Sequence, residues 1–220
     1  MEKIVKIAFV LIAVFLSTDS FGEQTIVIGF DGNPDPKGVP SGWELKEKKG
    51  KADFKVLTEG EEKVIFMKSV VSSFSLQKDI KINLKEYPYL TFRWKVVKLP
   101  DGGDVRKGKT NDQALQTMIA FEEGKILSYI WDTTAPQGTV SEESVPWPIS
   151  LQIKVLTLKS GTQELGQWVT ITRNVYEDFN RLFGEEPPPI EGIRVQINSQ
   201  HTRSTAESYF GKMLFRKTKD

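Results

Sequence analysis

Residues 87–98 (YPYLTFRWKVVK) place Leu90, Phe92, Trp94 and Val96 at alternate positions, with threonine, arginine and lysine between them. Successive side chains of a β-strand point to opposite faces of a sheet, so this period of two predicts a strand with one apolar face. An apolar sheet face is stable only when a second layer covers it. The segment therefore predicts a layered β structure.

The same alternation recurs in residues 72–84 and 150–158, and compact apolar runs of strand length occupy residues 25–30, 114–121 and 126–131. Further short segments bring the total to about a dozen strands, separated by glycine, proline and polar turn residues. Short, closely spaced strands are typical of a sandwich or barrel and not of alternating strand–helix units. We therefore expect an all-β fold.

One segment departs from this pattern, because the apolar residues between Val175 and Phe183 recur at helical spacing. Asn174 can cap the amino end of a helix there, and Gly184 stands where a left-handed carboxyl cap belongs. Three prolines then prevent continuation of the helix. We expect one short α-helix near residues 175–183, with its apolar stripe packed on the sheets.

The amino terminus has the three parts of a secretory signal peptide. Lys3 and Lys6 precede an apolar run, residues 7–16 (IAFVLIAVFL), and small residues stand at the expected cleavage point. A membrane-spanning helix needs about 20 apolar residues, so this run is short for an uncleaved anchor, which is the alternative. We expect residues 1–22 to be removed and residues 23–220 to form a single domain, periplasmic or secreted, without a membrane span.

The composition narrows the classes of function. The 220 residues include 30 Lys and Arg against 29 Asp and Glu, so the net charge of +1 provides no general attraction for nucleic acid or anionic membrane. The absence of cysteine excludes disulfides, thiol nucleophiles and zinc ribbons, and a single histidine excludes multi-histidine metal sites. Asp31, Asn33 and Asp35 have the spacing of calcium ligands, but Pro36 and Gly42 interrupt the pattern. We expect no metal site and no cofactor.

A row of polar residues near the carboxyl end is the main candidate for ligand contacts. Arg194, Gln196 and Asn198 alternate with three apolar residues of one predicted strand, so they share its outward face. Gln200 and His201 follow directly after that strand. A solvated sheet face is the alternative explanation for such a row.

The five tryptophans differ in their expected positions. Trp94 and Trp131 lie in alternating strands and are expected in the core, whereas Trp147 lies in a loop between two prolines. An exposed indole can stack on the apolar face of a sugar ring, and planar polar groups can bind its hydroxyls. The candidate ligand-binding residues are Trp147, Arg173, Gln196, Asn198, Gln200 and His201.

Catalysis has less support in the sequence. His201 is the one imidazole and Ser204 lies near it, but no Gly-x-Ser-x-Gly nucleophile elbow is present. Glycoside hydrolysis needs two carboxylates about 5–10 Å apart, and Asp112, Glu122 or His201 could supply an acid and a base. We assign no catalytic residue and keep a polysaccharide-active hydrolase or lyase as an alternative function.

Several short motifs occur in a recognisable order. They are Trp94, Leu99-Pro100-x-Gly-Gly-Asp104, Asp112-Gln113, Met118-Ile119-Ala120-Phe121, Tyr129-Ile130-Trp131, Leu158-Lys159-Ser160-Gly161, Trp168, Arg173-Asn174-Val175, Phe183-Gly184-Glu185 and Ala206-Glu207-Ser208-Tyr209-Phe210-Gly211. In this order, from about residue 30 to residue 215, they resemble the bacterial exported family DUF3047, a domain of unknown function. The resemblance implies a jelly-roll β-sandwich similar to galactose-binding-like and carbohydrate-binding modules, with no assigned activity. Members of that family carry an acidic stretch where this chain has residues 198–201 (NSQH).

These observations together favour a non-catalytic, exported binding module for a glycan or a cell-envelope polymer. A second alternative to this function, besides the enzyme, is a structural or partner-binding periplasmic protein that uses an exposed sheet face. We expect no nucleic-acid partner. Neither the identity of the ligand nor the oligomeric state follows from the residues.

Overall fold

The computed structural model of the chain describes residues 25–145 and 150–219, which contain thirteen strands and one α-helix. The predicted signal peptide, residues 1–22, and Trp147 lie outside the described residues. No helix among those described is long and apolar enough to cross a bilayer. The elements are β1 Ile26–Ile28, β2 Glu44–Lys49, β3 Asp53–Glu59, β4 Glu62–Val70, β5 Ser73–Ile82, β6 Tyr89–Lys98, β7 Leu115–Phe121, β8 Lys125–Asp132, β9 Val140–Val145, β10 Leu151–Ser160, β11 Val169–Asn174, α1 Val175–Phe183, β12 Ile190–Asn198 and β13 Thr205–Arg216.

The strands form two sheets, which we call sheet A and sheet B. Sheet A has the order β11-β6-β13-β4-β3, with β1 paired to β13, and sheet B has the order β2-β5-β12-β7-β8-β10-β9. Neighbouring strands are antiparallel except β8 and β10, which are parallel. The all-β sandwich of jelly-roll type is therefore confirmed.

Aromatic side chains from both sheets fill the space between them. Trp94 of β6 lies 6.2 Å from Trp131 of β8, and Phe92 lies 6.2 Å from Tyr129, measured between ring centroids. Leu90, Phe92, Trp94 and Val96 are all at most 2% exposed, as their alternation predicts. Burying each such side chain contributes on the order of 2 kcal/mol, so the inward faces of the strands hold the sheets together.

The single helix is confirmed with both of its caps. The Asn174 side chain accepts the backbone N–H of Glu177 at 3.1 Å, and Gly184 ends the helix in a left-handed conformation, with φ of 78°. Phe179 packs on Phe121 of sheet B, with ring centroids 4.5 Å apart. The helix therefore covers one end of the sandwich, as an amphipathic segment between β11 and β12.

A buried polar contact attaches the helix to the core. Asp178 accepts hydrogen bonds from the Tyr129 hydroxyl and from Arg173 Nε, each at 2.7 Å. Burial, and then the nearby Asp178 charge, raise the pKa of Tyr129 well above its ordinary value. The phenol is therefore held as a permanent donor to this carboxylate.

Both edge strands of sheet B differ from the alternating pattern. β2 (ELKEKK) and β9 (VSEESV) are rich in charged and polar residues, and the sequence pattern indicates neither strand in full. Charged side chains on an edge strand protect its unpaired backbone groups from pairing with another chain. Sheet B is therefore wider than the apolar segments alone predict.

Candidate functional site

A groove runs along the outward face of sheet B, over the part of β12 between Gly192 and Asn198. Its floor comes from β12, β7, β8 and β10, and β2, β5 and β9 contribute side chains at its sides. Six residue steps along β12 correspond to about 20 Å. The depression holds about 570 Å³ at the Gly192 end and about 260 Å³ nearer Asn198.

The alternation in β12 separates the core from the groove. Ile193, Val195 and Ile197 point inward and are at most 1% exposed. Arg194 and Gln196, at the positions between them, therefore face outward and line the groove. The polar row recognised in the sequence thus lies in a concave surface.

Asn198 uses its whole side chain to hold three segments together. Its Nδ2 donates to the backbone oxygen of Asn111 and to Asp112 Oδ1, each at 3.0 Å. Its Oδ1 accepts from the backbone N–H of Gln113 at 3.0 Å and from Gln116 Nε2 at 2.6 Å. Because both ends of the amide are satisfied within the protein, Asn198 fixes the end of the groove, and its amide has no donor left for a ligand.

Asp112 is fully buried behind this residue. Its second oxygen accepts from the backbone N–H of Thr202 at 2.6 Å and from the Thr202 hydroxyl at 2.9 Å. His201 Nδ1 lies 3.4 Å from Asp112 Oδ1 and 3.1 Å from the backbone oxygen of Asn111. These contacts orient the half-exposed His201 ring at the end of the groove, where Gln200 also lies.

Arg194 is a half-buried cation that meets no carboxylate within ion-pair distance in the described part of the chain. It donates to Gln77 Oε1 at 2.7 Å, and Gln77 Nε2 donates to Glu44 at 3.0 Å. Burial lowers the pKa of the Arg194 guanidinium, and the more distant charge of Glu44 opposes this effect. An arginine remains protonated in proteins, so the groove floor carries a positive charge with unused donors.

Other polar groups of the groove also have unused hydrogen-bonding capacity. The Gln196 amide makes no side-chain hydrogen bond to any described residue. Ser128 Oγ and Gln200 Oε1 are buried and have no hydrogen-bond partner in the same part of the chain. Met118 and Ile153 provide apolar surface beside them. A concave surface with a few convergent polar groups and apolar walls is typical of a ligand-binding site.

The family of the chain is established by its sequence. Residues 41–214 match a family model described as protein of unknown function, DUF3047. The chain belongs to the DUF3047 family. The resemblance that the ordered motifs indicate is thereby confirmed, and no curated protein matches this sequence.

Solved structures similar to this DUF3047 protein include glycoside hydrolases and a carbohydrate-binding module. The xyloglucanase domain of NopAA from Sinorhizobium fredii is 9% identical, with coverage of 77% of this chain and 91% of that one and a TM-score of 0.47. The family 11 carbohydrate-binding module of Lic26A-Cel5E from Clostridium thermocellum is 12% identical, covering 90% and 95%, at 0.45. Endoglucanase cel12A from Rhodothermus marinus is 7% identical, covering 88% and 99%, at 0.48. At these identities and TM-scores the likenesses give no information about the function of this chain.

The structure of this DUF3047 protein brings four of the six candidate residues together. Gln196, Asn198, Gln200 and His201 all line the groove. Arg173 lies apart from them, on β11 of sheet A, where it pairs with Asp178 at the base of α1. Trp147 lies outside the described residues, so its contact with a ligand stays a prediction.

The sequence reasoning missed several groove residues of this family member. Gln116 and Ser128 lie on the outward faces of β7 and β8, inside apolar segments that look uniformly buried in the sequence. Both are less than 10% exposed. A polar residue inside an apolar run was the signal available for them, but Thr117, which is paired with the inward-facing Val195, shows the same signal.

Proposed function

We propose that this DUF3047 protein is a non-catalytic, exported binding module whose groove holds a glycan or a related polymer of the cell envelope. The observation that carries this proposal is the unused hydrogen-bonding capacity of Arg194, Gln196, Ser128 and Gln200 in one groove. Sugar hydroxyls require planar polar groups of this kind, and the apolar faces of the rings require surface such as that of Met118.

The size of the groove supports a polymeric ligand. A length of about 20 Å along β12 is sufficient for several linked sugar units, and a small metabolite would leave most of it empty. Among the residues with free hydrogen-bonding groups, Arg194 and Gln196 lie on β12, Gln200 follows that strand, and Ser128 lies two strands away on β8. An extended chain lying along β12 could contact all of them.

Trp147 fits this proposal through its position in the chain. Glu143 and Leu151, which flank it in sequence, both line the groove. We propose that its indole stacks on a sugar ring there.

The arrangement of carboxylates supports binding in preference to hydrolysis. Among the described residues, Asp79, Glu143 and Glu191 line the groove, while Glu122 lies in the turn after β7. Asp79 on β5 and Glu143 on β9 are five strand spacings apart, about 24 Å along the sheet, whereas glycosidases need about 5–10 Å.

Asp79 and Glu191 line the same end of the groove, and Asp112 lies beside His201 at the other end, so a polysaccharide-active enzyme could take its acid and base from either group. Asp79 and Glu191 are both exposed to solvent, whereas a closed active site excludes water from its reacting groups. An enzyme is therefore the alternative, and release of new reducing ends or unsaturated sugars from a bound polysaccharide would establish it.

A glycan array followed by calorimetry tests the binding function. We expect the purified protein to bind at least one polysaccharide, and Gln196→Ala to weaken that binding about two- to tenfold, since one net hydrogen bond is worth roughly 0.5–1.5 kcal/mol. Gln163→Ala, in the exposed loop between β10 and β11, is the matched control and should bind normally. Trp147→Ala should weaken binding at least as much. Absence of binding across diverse glycans would refute the proposal.

Export is tested separately. The protein expressed with its natural amino terminus should be recovered from the periplasm or medium with Glu23 as its first residue, as shown by intact mass. A membrane-bound product that retains residues 1–22 would instead establish an anchor.

A further inference from the structure

The groove carries more positive than negative side chains. Lys78 and Lys81 lie at its Gly192 end, and Lys48 and Arg194 lie in its middle. Beyond His201 the groove continues into a depression that we call the basic end, lined by Lys49, Lys109 and Arg203. These seven cations face three carboxylates, which are Asp79, Glu143 and Glu191.

This excess is local, because the whole chain has a net charge of only +1. None of the seven cations forms an ion pair with a described carboxylate, whereas two half-exposed arginines elsewhere do. Arg93 pairs with Glu62 and Arg173 pairs with Asp178, both outside the groove. The groove is therefore a region where positive charge is left without an internal partner.

Arg194 is the most informative of these residues. A guanidinium that loses water on burial without gaining a carboxylate is in an unfavourable environment, which an anionic ligand would relieve. Its one side-chain hydrogen bond goes to the neutral Gln77, so most of its planar set of donors remains unused. That set matches both oxygens of a carboxylate.

Resting on the proposed glycan-binding function, we infer that the ligand is an anionic polysaccharide that contains uronic acids. One carboxylate binds Arg194 in the floor of the groove. Further carboxylates along the polymer are attracted by Lys48 and by the basic end. Sugar hydroxyls bind Gln196 and Gln200 between these charges.

The test compares acidic polysaccharides with the same polymers after chemical reduction of their carboxylates. Polygalacturonate, alginate and hyaluronate are used as probes, with xyloglucan as a neutral glycan and dextran sulfate as a non-specific polyanion. Affinity is measured at two salt concentrations for the wild type, Arg194→Gln and Lys48→Gln. Lys55→Gln, which removes an exposed lysine from sheet A, is the matched control. Thermal unfolding checks that every variant is folded.

We expect at least one uronic-acid polymer to bind, with the carboxyl-reduced form about tenfold weaker or more. Arg194→Gln should weaken binding about tenfold, Lys48→Gln about two- to threefold, and Lys55→Gln not measurably. Higher salt should weaken binding of the wild type. Because Lys48 lies on the exposed edge strand β2, its variant keeps the test valid if Arg194→Gln does not fold.

Each contrary result overturns a distinct statement. Equal affinity for acidic and carboxyl-reduced polymers would refute the inference that the ligand is anionic, and the proposal of glycan binding would still stand. Tightest binding to dextran sulfate, with equal effects of Lys48→Gln and Lys55→Gln, would indicate general charge attraction and refute the inference. Absence of binding to all polysaccharides, neutral ones included, would refute the proposed function as well.

Discussion

The contacts of Asn198 predict a large and pH-dependent loss of stability for the substitution Asn198→Asp. This change keeps the shape of the side chain and replaces Nδ2 with a second oxygen. That nitrogen now donates to the backbone oxygen of Asn111 and to Asp112 Oδ1, each at 3.0 Å. The substitution therefore places two acceptors against the new oxygen and brings two carboxyls into contact in a buried site.

The magnitude follows from two effects. Loss of two hydrogen bonds, one of them to a charged group, costs roughly 2–4 kcal/mol at neutral pH. Two touching carboxyls cannot both be ionised, so the pKa of the pair rises in the folded state, and each unit of increase costs about 1.4 kcal/mol at neutral pH. The two effects overlap, because a protonated carboxyl regains one donor, and we expect a total of about 3–5 kcal/mol at pH 7.

The sign of the pH dependence is specific to this mechanism. The new carboxyl pair has a raised pKa when folded, so its penalty is absent below the unfolded value near 4 and grows as the pH rises above it. Urea unfolding of the wild type and of Asn198→Asp, compared at each pH, should show a difference about 2 kcal/mol smaller at pH 4.5 than at pH 7. Asn180→Asp, at an exposed position of α1, should change stability by less than about 0.5 kcal/mol. A loss below about 1 kcal/mol, or one independent of pH, would refute the reasoning.

Three further substitutions test other contacts by urea unfolding. The Arg106 guanidinium holds the pKa of Asp104 well below its usual range, so Asp104→Asn should cost about 1–2 kcal/mol at pH 7 and progressively less below about pH 4, where the unfolded wild type takes up a proton on this carboxylate that the folded protein does not, while Asp101→Asn should be neutral. Asp178→Asn should cost about 3 kcal/mol, because buried contacts to Tyr129 and Arg173 are weakened, and Glu177→Gln at the exposed neighbouring position should not. A Cβ at Gly124 would lie 2.6 Å from the backbone oxygen of Ser150, so Gly124→Ala should cost clearly more than Gly138→Ala, which has a similar positive φ in open space. Equal losses in any of these pairs would contradict the corresponding contact.

The sequence predicted the inward faces of the sheets well, because apolar residues at every second position of a strand identify its inward face. Trp94 and Trp131 were expected in the core, and the structure brings them together across the two sheets. The helix was equally predictable, because its caps are local: Asn174 and Gly184 act within a few residues of their own positions. In both cases the information needed lies inside one short segment.

The groove could not be predicted in the same way, because its parts come from distant segments. The alternation of apolar and polar residues shows which side chains point away from the core, but it does not show which strands are neighbours. β12 lies between β5 and β7, so Arg194 meets Gln77, and Gln196 meets Gln116, only through the order of sheet B. The sides of the groove were also hidden, because β2 and β9 lack the apolar alternation that identifies a strand.

Arg173 and Arg194 are two half-buried arginines with different surroundings in this fold. Arg194 lies in a predicted strand and Arg173 directly follows one, and the residue type alone does not distinguish them. Asp178 follows Arg173 by five residues, in the first turn of α1, and the two form an ion pair. Arg194 has no carboxylate within ion-pair distance in the described chain, and its neighbour across β5 is the neutral Gln77. A half-buried arginine is therefore a candidate for ligand binding when the fold supplies no internal carboxylate, and that criterion requires the sheet order as well as the sequence.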